Sequence, residues 1–137
     1  MVIDDYDAVA GLWTAAGLPF RPLGRDRREA IEAELCGPCS VFLIAEQEAD
    51  VVGVVFGTHD GRKGWINRLC VHPTAQHRGI ARRLIAAVEE RLHGMGINIV
   101  TCLIEAGNDQ SEALFQRLGY VRHSDITYYA KRLDPNV

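Results

Sequence analysis

The rest of this chain is organised around Val71–Ile85, with the sequence VHPTAQHRGIARRLI. An apolar run that begins at Trp65 and is typical of a strand precedes this stretch. The stretch itself contains a proline-containing loop, followed by residues with the spacing of a helix. The first turn of that helix carries Gly79 and arginines but no acidic residue. The first N–H groups of a helix have no partner within it, and the helix dipole adds about half a positive charge there. The sequence therefore predicts an anion site at this helix start.

The basic residues concentrate around this predicted site. From Gly61 to Val88 there are six Lys or Arg and no Asp or Glu, although the whole chain has a formal net charge of -3 at pH 7. That net charge is too small for a general nucleic-acid-binding protein, so the local cluster indicates one anionic ligand. Gly79 would let a phosphate group approach the backbone without a Cβ in the way.

Length and composition predict a single globular domain over residues 1–137. At 47% hydrophobic and 24% charged residues, the chain falls in the ordinary soluble class, and its size supports one core. No apolar run approaches the ~20 residues that span a bilayer, and no leader pattern is present at the N-terminus. We therefore expect a cytoplasmic protein with reduced cysteines and with no membrane or nucleic-acid partner.

The remaining periodicities predict an α/β fold. A turn with Asp60-Gly61 predicts an antiparallel hairpin, and the strand, helix and strand between residues 65 and 104 predict a βαβ unit with a right-handed crossover. The predicted helices are residues 4–16, 26–35, 79–92 and 109–117, and the predicted strands are residues 40–46, 51–58, 65–71, 97–104 and 126–133.

The central stretch also contains Gln76–Ala81, which reads Q-x-x-G-x-A and resembles the acetyl-CoA-binding motif of the GCN5-related N-acetyltransferase (GNAT) family. The context is similar too, with a strand before the motif, an amphipathic helix after it, Asn108 after the next strand, and Leu118-Gly119-Tyr120 near the end. The resemblance covers about residues 40–133 and is nearest to small single-domain bacterial and archaeal members.

This resemblance implies a mixed, mostly antiparallel sheet with helices on both faces. It also implies transfer of an acetyl group from acetyl-CoA to a primary amine by direct attack, with a small-molecule or peptide acceptor and no metal. Family members usually begin with a strand before the first helix. Here the first predicted helix starts within about four residues of Met1, so that strand is expected to be missing. The exposed sheet edge would then need a cover, and a second copy in a homodimer is one way to provide it.

The resemblance also assigns residues to acetyl-CoA. Loop amides would hold the pyrophosphate, the pantetheine arm would lie as a pseudo-strand beside the strand ending at Val71, and the Val71 N–H would donate to the oxyanion. Asn108 would bind the pantetheine region, although it equally suits the N-cap of the next helix. The cofactor-binding candidates are Leu69, Val71, Gln76, His77, Arg78, Gly79, Ile80, Ala81, Arg82, Asn108 and Phe115.

Catalysis needs a neutral amine and a leaving thiol. An alkylamine has a pKa near ~10.4, so a general base is expected. Glu105, after the second strand of the βαβ unit, is the first candidate, and its other interpretation is a solvated charge. Asp60, Asp125 and His72 are weaker candidates.

The family often has a tyrosine seven residues after the asparagine, which protonates the thiolate, and that position here is Phe115. Phenylalanine has no proton to donate. Tyr128 or Tyr129 of the predicted last strand could substitute for it, or these tyrosines could serve packing alone. A thiol pKa near ~8.5 also lets the thiolate leave unassisted.

Two other functions remain open. The first is a CoA-binding module with little catalysis, which is consistent with Phe115 because phenylalanine cannot act as the proton donor. The second is thiol redox chemistry at Cys36-Gly37-Pro38-Cys39. Cys36 follows a predicted helix, and a thiolate is disfavoured at that end of the helix dipole. Zinc would need further ligands, and Cys70 and Cys102 are expected in core strands.

Overall fold

The computed structural model describes residues 1–133 and contains a four-stranded sheet in the order β1-β2-β3-β4. β1 and β2 are antiparallel, β2 and β3 are antiparallel, and β3 and β4 are parallel. The predicted fold class is therefore confirmed. The strands are β1 (Ser40–Gln47), β2 (Asp50–His59), β3 (Gly64–Val71) and β4 (Val100–Cys102), and the helices are α1 (Tyr6–Ala15), α2 (Arg28–Leu35), α3 (Ile80–Gly94) and α4 (Asp109–Arg117).

Helices cover both faces of the sheet, because side chains alternate along β2. Val55 belongs to the core that α3 and α4 close, whereas Val54 and Phe56 belong to the core beneath α1 and α2. The second core includes Trp13, whose ring meets that of Phe56 edge to face at 5.4 Å. Each apolar stripe predicted from the helical spacing thus faces the sheet.

The α3 helix approaches the sheet closely at Gly57. A Cβ on Gly57 would lie 2.6 Å from Val88 Cγ1 and 3.3 Å from the Val41 carbonyl oxygen. Because Gly57 has no side chain, α3 can pack this close to the sheet.

The sheet opens where β3 and β4 part. The two strands pair only through Gly64, Trp65 and Ile66 of β3. Further along β3, the register with β2 shifts, and Asn67 and Cys70 face Phe56 and Val54. Two residues of β3, Arg68 and Leu69, therefore stand opposite Val55 alone, which is a β-bulge.

Arg68 adopts φ 54° at this bulge, in the left-handed region that non-glycine residues rarely enter. The bulge and the divergence of the two strands together leave a gap beside the second half of β3.

Two strand predictions need correction. The strand predicted over residues 97–104 pairs only over Val100–Cys102, because β3 turns away beyond Ile66. The last strand, predicted over residues 126–133, is wrong for the described chain: these residues are exposed and have no regular structure. Alternating apolar residues form a strand only when a neighbour takes up the backbone N–H and C=O groups, and within residues 1–133 no strand lies beside this segment.

The ends of the other elements differ slightly from the predictions. A short 3-10 helix, Ile3–Asp5, leads into α1, and the Met1 ammonium donates to the Phe42 carbonyl oxygen at 3.3 Å. The first residue thus lies against β1. α3 runs through Gly94, and the left-handed residue after it is Gly96, at φ 82°. Among residues 1–133, no helix combines the length and the apolar character that crossing a membrane requires.

Candidate active site

The loop between β3 and α3 has the geometry of an anion site. It contains a short 3-10 helix, Pro73–Ala75, then His77 at φ 62° and Gly79 at φ 76°. The Gln76 side-chain amide donates to the Val71 carbonyl oxygen at 3.2 Å. This hydrogen bond holds the loop against the end of β3.

The N-terminus of α3 is free to meet a ligand. Gly79 is its N-cap, no side chain within the described part of the chain caps the helix with a hydrogen bond, and its first turn has no acidic residue. Arg78, Arg82 and Arg83 are exposed around it, while Ile80 and Leu84 anchor the turn in the core. A Cβ on Gly79 would meet no atom of residues 1–133 within 4 Å, so the described chain leaves open the space above the helix start. The unpaired amides, the dipole and the arginines together favour a phosphate group here.

A cleft of about 600 Å³ lies where β3 and β4 part. Its walls come from the α1–α2 loop and α2 on one side, from β2 and β3 at the base, and from the segment after β4 and α4 on the other side. β3 runs from this cleft directly to the loop, so a single strand connects the cleft to the anion site.

Four of the predicted site residues line this cleft: Leu69, Glu105, Asn108 and Phe115. Val71 is buried at the end of β3, two residues beyond Leu69. Gln76 to Arg82 form the adjoining loop and helix start. Tyr128 is elsewhere, since it is 70% exposed on the irregular segment and is not among the residues that line the cleft.

Asn108 both caps α4 and borders the cleft, so its location is compatible with each of the two roles predicted for it. Its side-chain oxygen accepts from the Ser111 backbone N–H at 3.2 Å, which caps α4, and the residue also borders the cleft. The cap fixes the start of α4 and therefore the position of Phe115, two helical turns further on.

Phe115 forms an apolar part of the cleft wall. It is buried, and its ring meets that of Tyr120 edge to face with the centroids 4.9 Å apart. The Tyr120 hydroxyl donates to Glu89 Oε1 at 2.6 Å. Burial, and then this hydrogen bond to a carboxylate, raise the pKa of Tyr120 far above its usual range. Tyr120 therefore stays protonated and bound to Glu89.

An ion pair that the sequence does not predict lies in the opposite wall of the cleft. Asp26 is buried and accepts from the Arg68 guanidinium and, at 2.8 Å, from the Arg21 backbone N–H. Arg68 also donates to the Pro19 carbonyl oxygen and lies 4.9 Å from the centre of the Trp13 ring. These contacts connect the β3 bulge to the α1–α2 loop.

Glu34 of α2 is a further carboxylate that lines the cleft. Partial burial raises its pKa, the negative charge of Asp26 adds to the increase, and Arg68 opposes it. The sequence signal for Glu34 was weak, since it was only one of several polar residues on a short predicted helix. Its electrostatic interaction with Arg68 could not be predicted, because the two residues come close only in the folded chain.

The cysteines lie as the sequence predicts. Cys36 is the C-cap of α2, and both it and Cys39 are free and exposed. Burial raises the pKa of the Cys70 thiol to about 11 and also raises that of Cys102. In the part of the chain that the structure describes, no three His, Cys, Asp or Glu side chains come together in a metal-binding arrangement.

Comparison with known proteins gives one family and one fold. A family model described as "Acetyltransferase (GNAT) family" matches residues 9–120. The structure of AAC(6')-Iy in complex with the bisubstrate analog CoA-S-monomethyl-acetylneamine superposes with a TM-score of 0.80 at 21% identity, covering 96% of this chain and 95% of that one.

Two further solved structures share this fold. Aminoglycoside 6'-N-acetyltransferase AAC(6')-IG from Acinetobacter haemolyticus has a TM-score of 0.77 at 15% identity, with 96% and 94% of the two chains covered. Ribosomal-protein-alanine N-acetyltransferase from Brucella melitensis biovar Abortus 2308 has a TM-score of 0.71 at 18% identity, with 97% and 95% covered.

Proposed function

Because the chain belongs to the acetyltransferase (GNAT) family, we propose that it transfers the acetyl group of acetyl-CoA to a primary amine of a small-molecule or peptide acceptor. The observation that carries this proposal is the continuity of the site along β3. The strand borders the cleft at Leu69 and ends at Val71, where the Gln76 amide fastens the anion-binding loop.

We match two parts of coenzyme A, the pyrophosphate and the pantetheine arm, to residues of this chain. The loop amides from His77 to Arg82 and the start of α3 would bind the pyrophosphate, and the exposed arginines would add positive charge. The gap beside β3, where β4 no longer pairs with it and where Leu69 and Phe115 line the cleft, would take the pantetheine arm. Bound acetyl-CoA supplies an activated acyl group as a thioester.

The amine approaches from the side of the α1–α2 loop and α2. Two carboxylates that line the cleft, Glu34 and Glu105, form no direct ion pair among the described residues, whereas Asp26 is paired with Arg68. We assign binding of the cationic acceptor to Glu34, which lies on the acceptor side. Glu105 lies across the cleft, beside Asn108, and takes the amine proton as the nitrogen attacks the acyl carbon.

The backbone N–H of Val71 donates to the oxyanion that forms on the acyl oxygen. The carbon–sulfur bond then breaks, and the thiolate takes its proton from water, because Phe115 cannot donate one and a thiol of pKa near ~8.5 leaves readily. The acceptor keeps the acetyl group as an amide.

The test is acetyl-CoA turnover against a panel of amines, with aminosugars and peptide N-termini included because the structurally similar enzymes are an aminoglycoside acetyltransferase and a ribosomal-protein-alanine acetyltransferase. We expect turnover with at least one of these amines. CoA binding without turnover on the whole panel would instead favour a CoA-binding module with little catalysis.

Once an acceptor is known, two matched variants separate the roles of the carboxylates. Glu105→Gln should lower kcat by about 100-fold or more, since general-base catalysis contributes about that much. Glu34→Gln should mainly raise KM for the amine. Full kcat in Glu105→Gln would contradict the assignment of the base.

A further inference from the structure

Arg68 has a backbone conformation that is unusual inside a β-strand. Its φ of 54° lies in the left-handed region, and among residues 1–133 it is the only non-glycine residue with a positive φ that lies within a strand. The Cβ of an L-residue makes this region unfavourable, so such a conformation persists only where the surrounding structure holds it. The residues around Arg68 must therefore stabilise the bulge of β3.

The side chain of Arg68 is held by α1 and by the loop that follows α1. Its guanidinium donates to the Asp26 carboxylate and to the Pro19 carbonyl oxygen, and it lies 4.9 Å from the centre of the Trp13 ring. Only 13% of this side chain is exposed. Because the guanidinium is planar and always charged, two acceptors and a ring fix both its position and its orientation.

Asp26 is fixed in turn by its own neighbours. Its carboxylate accepts from the Arg21 backbone N–H at 2.8 Å, and its backbone carbonyl accepts from the Tyr6 hydroxyl at 2.7 Å. A buried ion pair adds little to stability over well-packed apolar side chains, although removal of one partner leaves an uncompensated charge. The pair of Asp26 with Arg68 is thus better explained by the geometry that it imposes on β3 than by stability.

The bulge decides which way the Val71 N–H points. The His72 N–H donates to the Val52 carbonyl oxygen at 2.8 Å. The preceding pair, Val71 with Gly53, is therefore of the non-hydrogen-bonded kind, and the Val71 N–H faces away from β2. On that side lies the gap, where β4 no longer pairs with β3. Without the extra residue of the bulge, Val71 would stand in the position of His72 opposite Val52 and would donate its N–H to β2.

We propose that Arg68 and Asp26 are positioning residues for the acyl-transfer site. Their ion pair holds residue 68 in the left-handed conformation, so the bulge persists and the Val71 N–H stays directed into the gap. Both residues act through the backbone of β3. This inference rests on the proposed function, in which that N–H donates to the oxyanion. It also connects the two sides of the cleft, since the α1–α2 loop on the acceptor side sets the backbone on the acyl side.

A glycine at position 68 separates this role from simple stabilisation. Arg68→Gly and Arg68→Ala both remove the guanidinium, but only glycine adopts a positive φ without a steric cost. The two are compared in an Asp26→Asn background, which leaves no unpaired buried charge and keeps a side-chain oxygen for the Arg21 N–H. The two double variants therefore differ chiefly in how readily residue 68 adopts the conformation of the bulge.

Amide hydrogen exchange measured by NMR reports the bulge directly. In the native chain the His72 amide should be protected, because it donates to β2, and the Val71 amide should exchange faster. The glycine double variant should keep this order. The alanine double variant should lower the protection of the His72 amide by about fivefold or more relative to the glycine one, because of the cost of the left-handed region. Equal protection of His72 in the two variants would overturn the inference.

Two single variants complete the set. Lysine keeps the positive charge but lacks the planar fork that donates to two acceptors, so Arg68→Lys should fold and should still lower the protection of His72. Asp7→Asn is the matched control, because it removes an exposed ion pair with Arg28, at 2.7 Å, and should leave that protection unchanged. Undiminished protection in Arg68→Lys, or an equal loss in Asp7→Asn, would contradict the role of the Arg68–Asp26 pair.

Turnover then tests the link to acyl transfer, at a temperature at which every variant is folded. With an acceptor identified, kcat of the alanine double variant should be lower than that of the glycine one by about tenfold or more, because a misplaced oxyanion donor costs at least that much. Equal kcat values would show a role in stability alone and would overturn the inference. Absence of acetyl transfer by the native chain would instead overturn the proposed function, and the exchange results would still decide whether the pair holds the bulge.

Discussion

At the scale of single residues, Phe115 is the side chain whose chemistry departs most from what the reaction would use. It occupies a cleft wall and contacts Tyr120, whose hydroxyl is engaged by Glu89. Neither ring is therefore placed to supply a proton to a leaving thiolate, and in the proposed reaction water supplies it.

Phe115→Tyr adds a hydroxyl at this position. If Phe115 lies beside the sulfur, kcat should stay equal or rise by up to about tenfold. The new hydroxyl would act as a general acid, but the gain is limited because the thiolate can already leave without one. Steady-state kinetics with the identified acceptor measures this effect. Phe115→Leu is the control for packing and should lower stability by about 1–3 kcal/mol without providing a proton donor. A folded Phe115→Tyr with a large loss of kcat would contradict the placement.

The four cysteines should differ sharply in reactivity. At pH 8 a thiol reagent should modify Cys36 and Cys39 quickly, because both are exposed, and should reach Cys70 only on unfolding, because it is buried and its pKa is raised to about 11. Mass spectrometry of the timed reaction identifies the modified sites. Rapid modification of Cys70 in the folded chain would contradict its burial.

The same pKa predicts an alkaline loss of stability. The folded state holds the Cys70 proton more tightly than the unfolded state, so this contribution is complete below about pH 9 and is lost as pH rises toward 11. Urea unfolding of Cys70→Ala across this range should show a shallower decline than the native chain, and an identical decline in the two proteins would count against the shift.

At the scale of elements, the contact of α3 with the sheet depends on Gly57. Gly57→Ala places a Cβ against the stiff side chain of Val88, so it should destabilise the chain by about 1–3 kcal/mol. Gly11→Ala is the matched control, since Gly11 is exposed in α1 with nothing near its Cβ position, and it should be neutral or stabilising by up to about 1 kcal/mol. Chemical denaturation measures both values. Equal changes in the free energy of unfolding for the two variants would show that the close contact at Gly57 does not contribute to stability.

Elements whose determinants are local were predictable from the sequence. The α3 helix, the β2–β3 hairpin and α4 each follow from periodicity together with a nearby turn or cap signal, and α4 begins and ends at the predicted residues. The anion-binding loop belongs to this group, because Gly79 and the arginines lie within one short stretch.

Features that depend on distant pairing were not predictable. The contact between Arg68 and Asp26 joins residues 42 positions apart, and the bulge that presents Arg68 arises from the register of β2 against β3. The predicted last strand failed for the same reason, since its periodicity was present but no neighbouring strand of the described chain pairs with it.

At the scale of the whole molecule, the site arises from the way the sheet opens. α1 and α2 cover one face, α3 and α4 cover the other, and the divergence of β3 from β4 leaves a cleft between these two groups. The contacts of Arg68 with Asp26 and Pro19 hold the α1–α2 loop to the bulge, and the Gln76 amide holds the anion-binding loop to the end of the same strand. β3 thus fixes the position of the cleft relative to the anion-binding loop.

The binding of CoA at the start of α3 is measured by the thermal stability of the chain with and without CoA and acetyl-CoA, on the native protein and on two glutamate variants. Ligand at about 100 times its dissociation constant should stabilise the native chain by about 2.7 kcal/mol. Gly79→Glu should abolish that shift, because it puts a negative charge at the helix start. Gly61→Glu, at a glycine with a similarly positive φ and equally open space in the β2–β3 turn, should keep it. No shift in the native chain, or an undiminished shift in folded Gly79→Glu, would contradict the site.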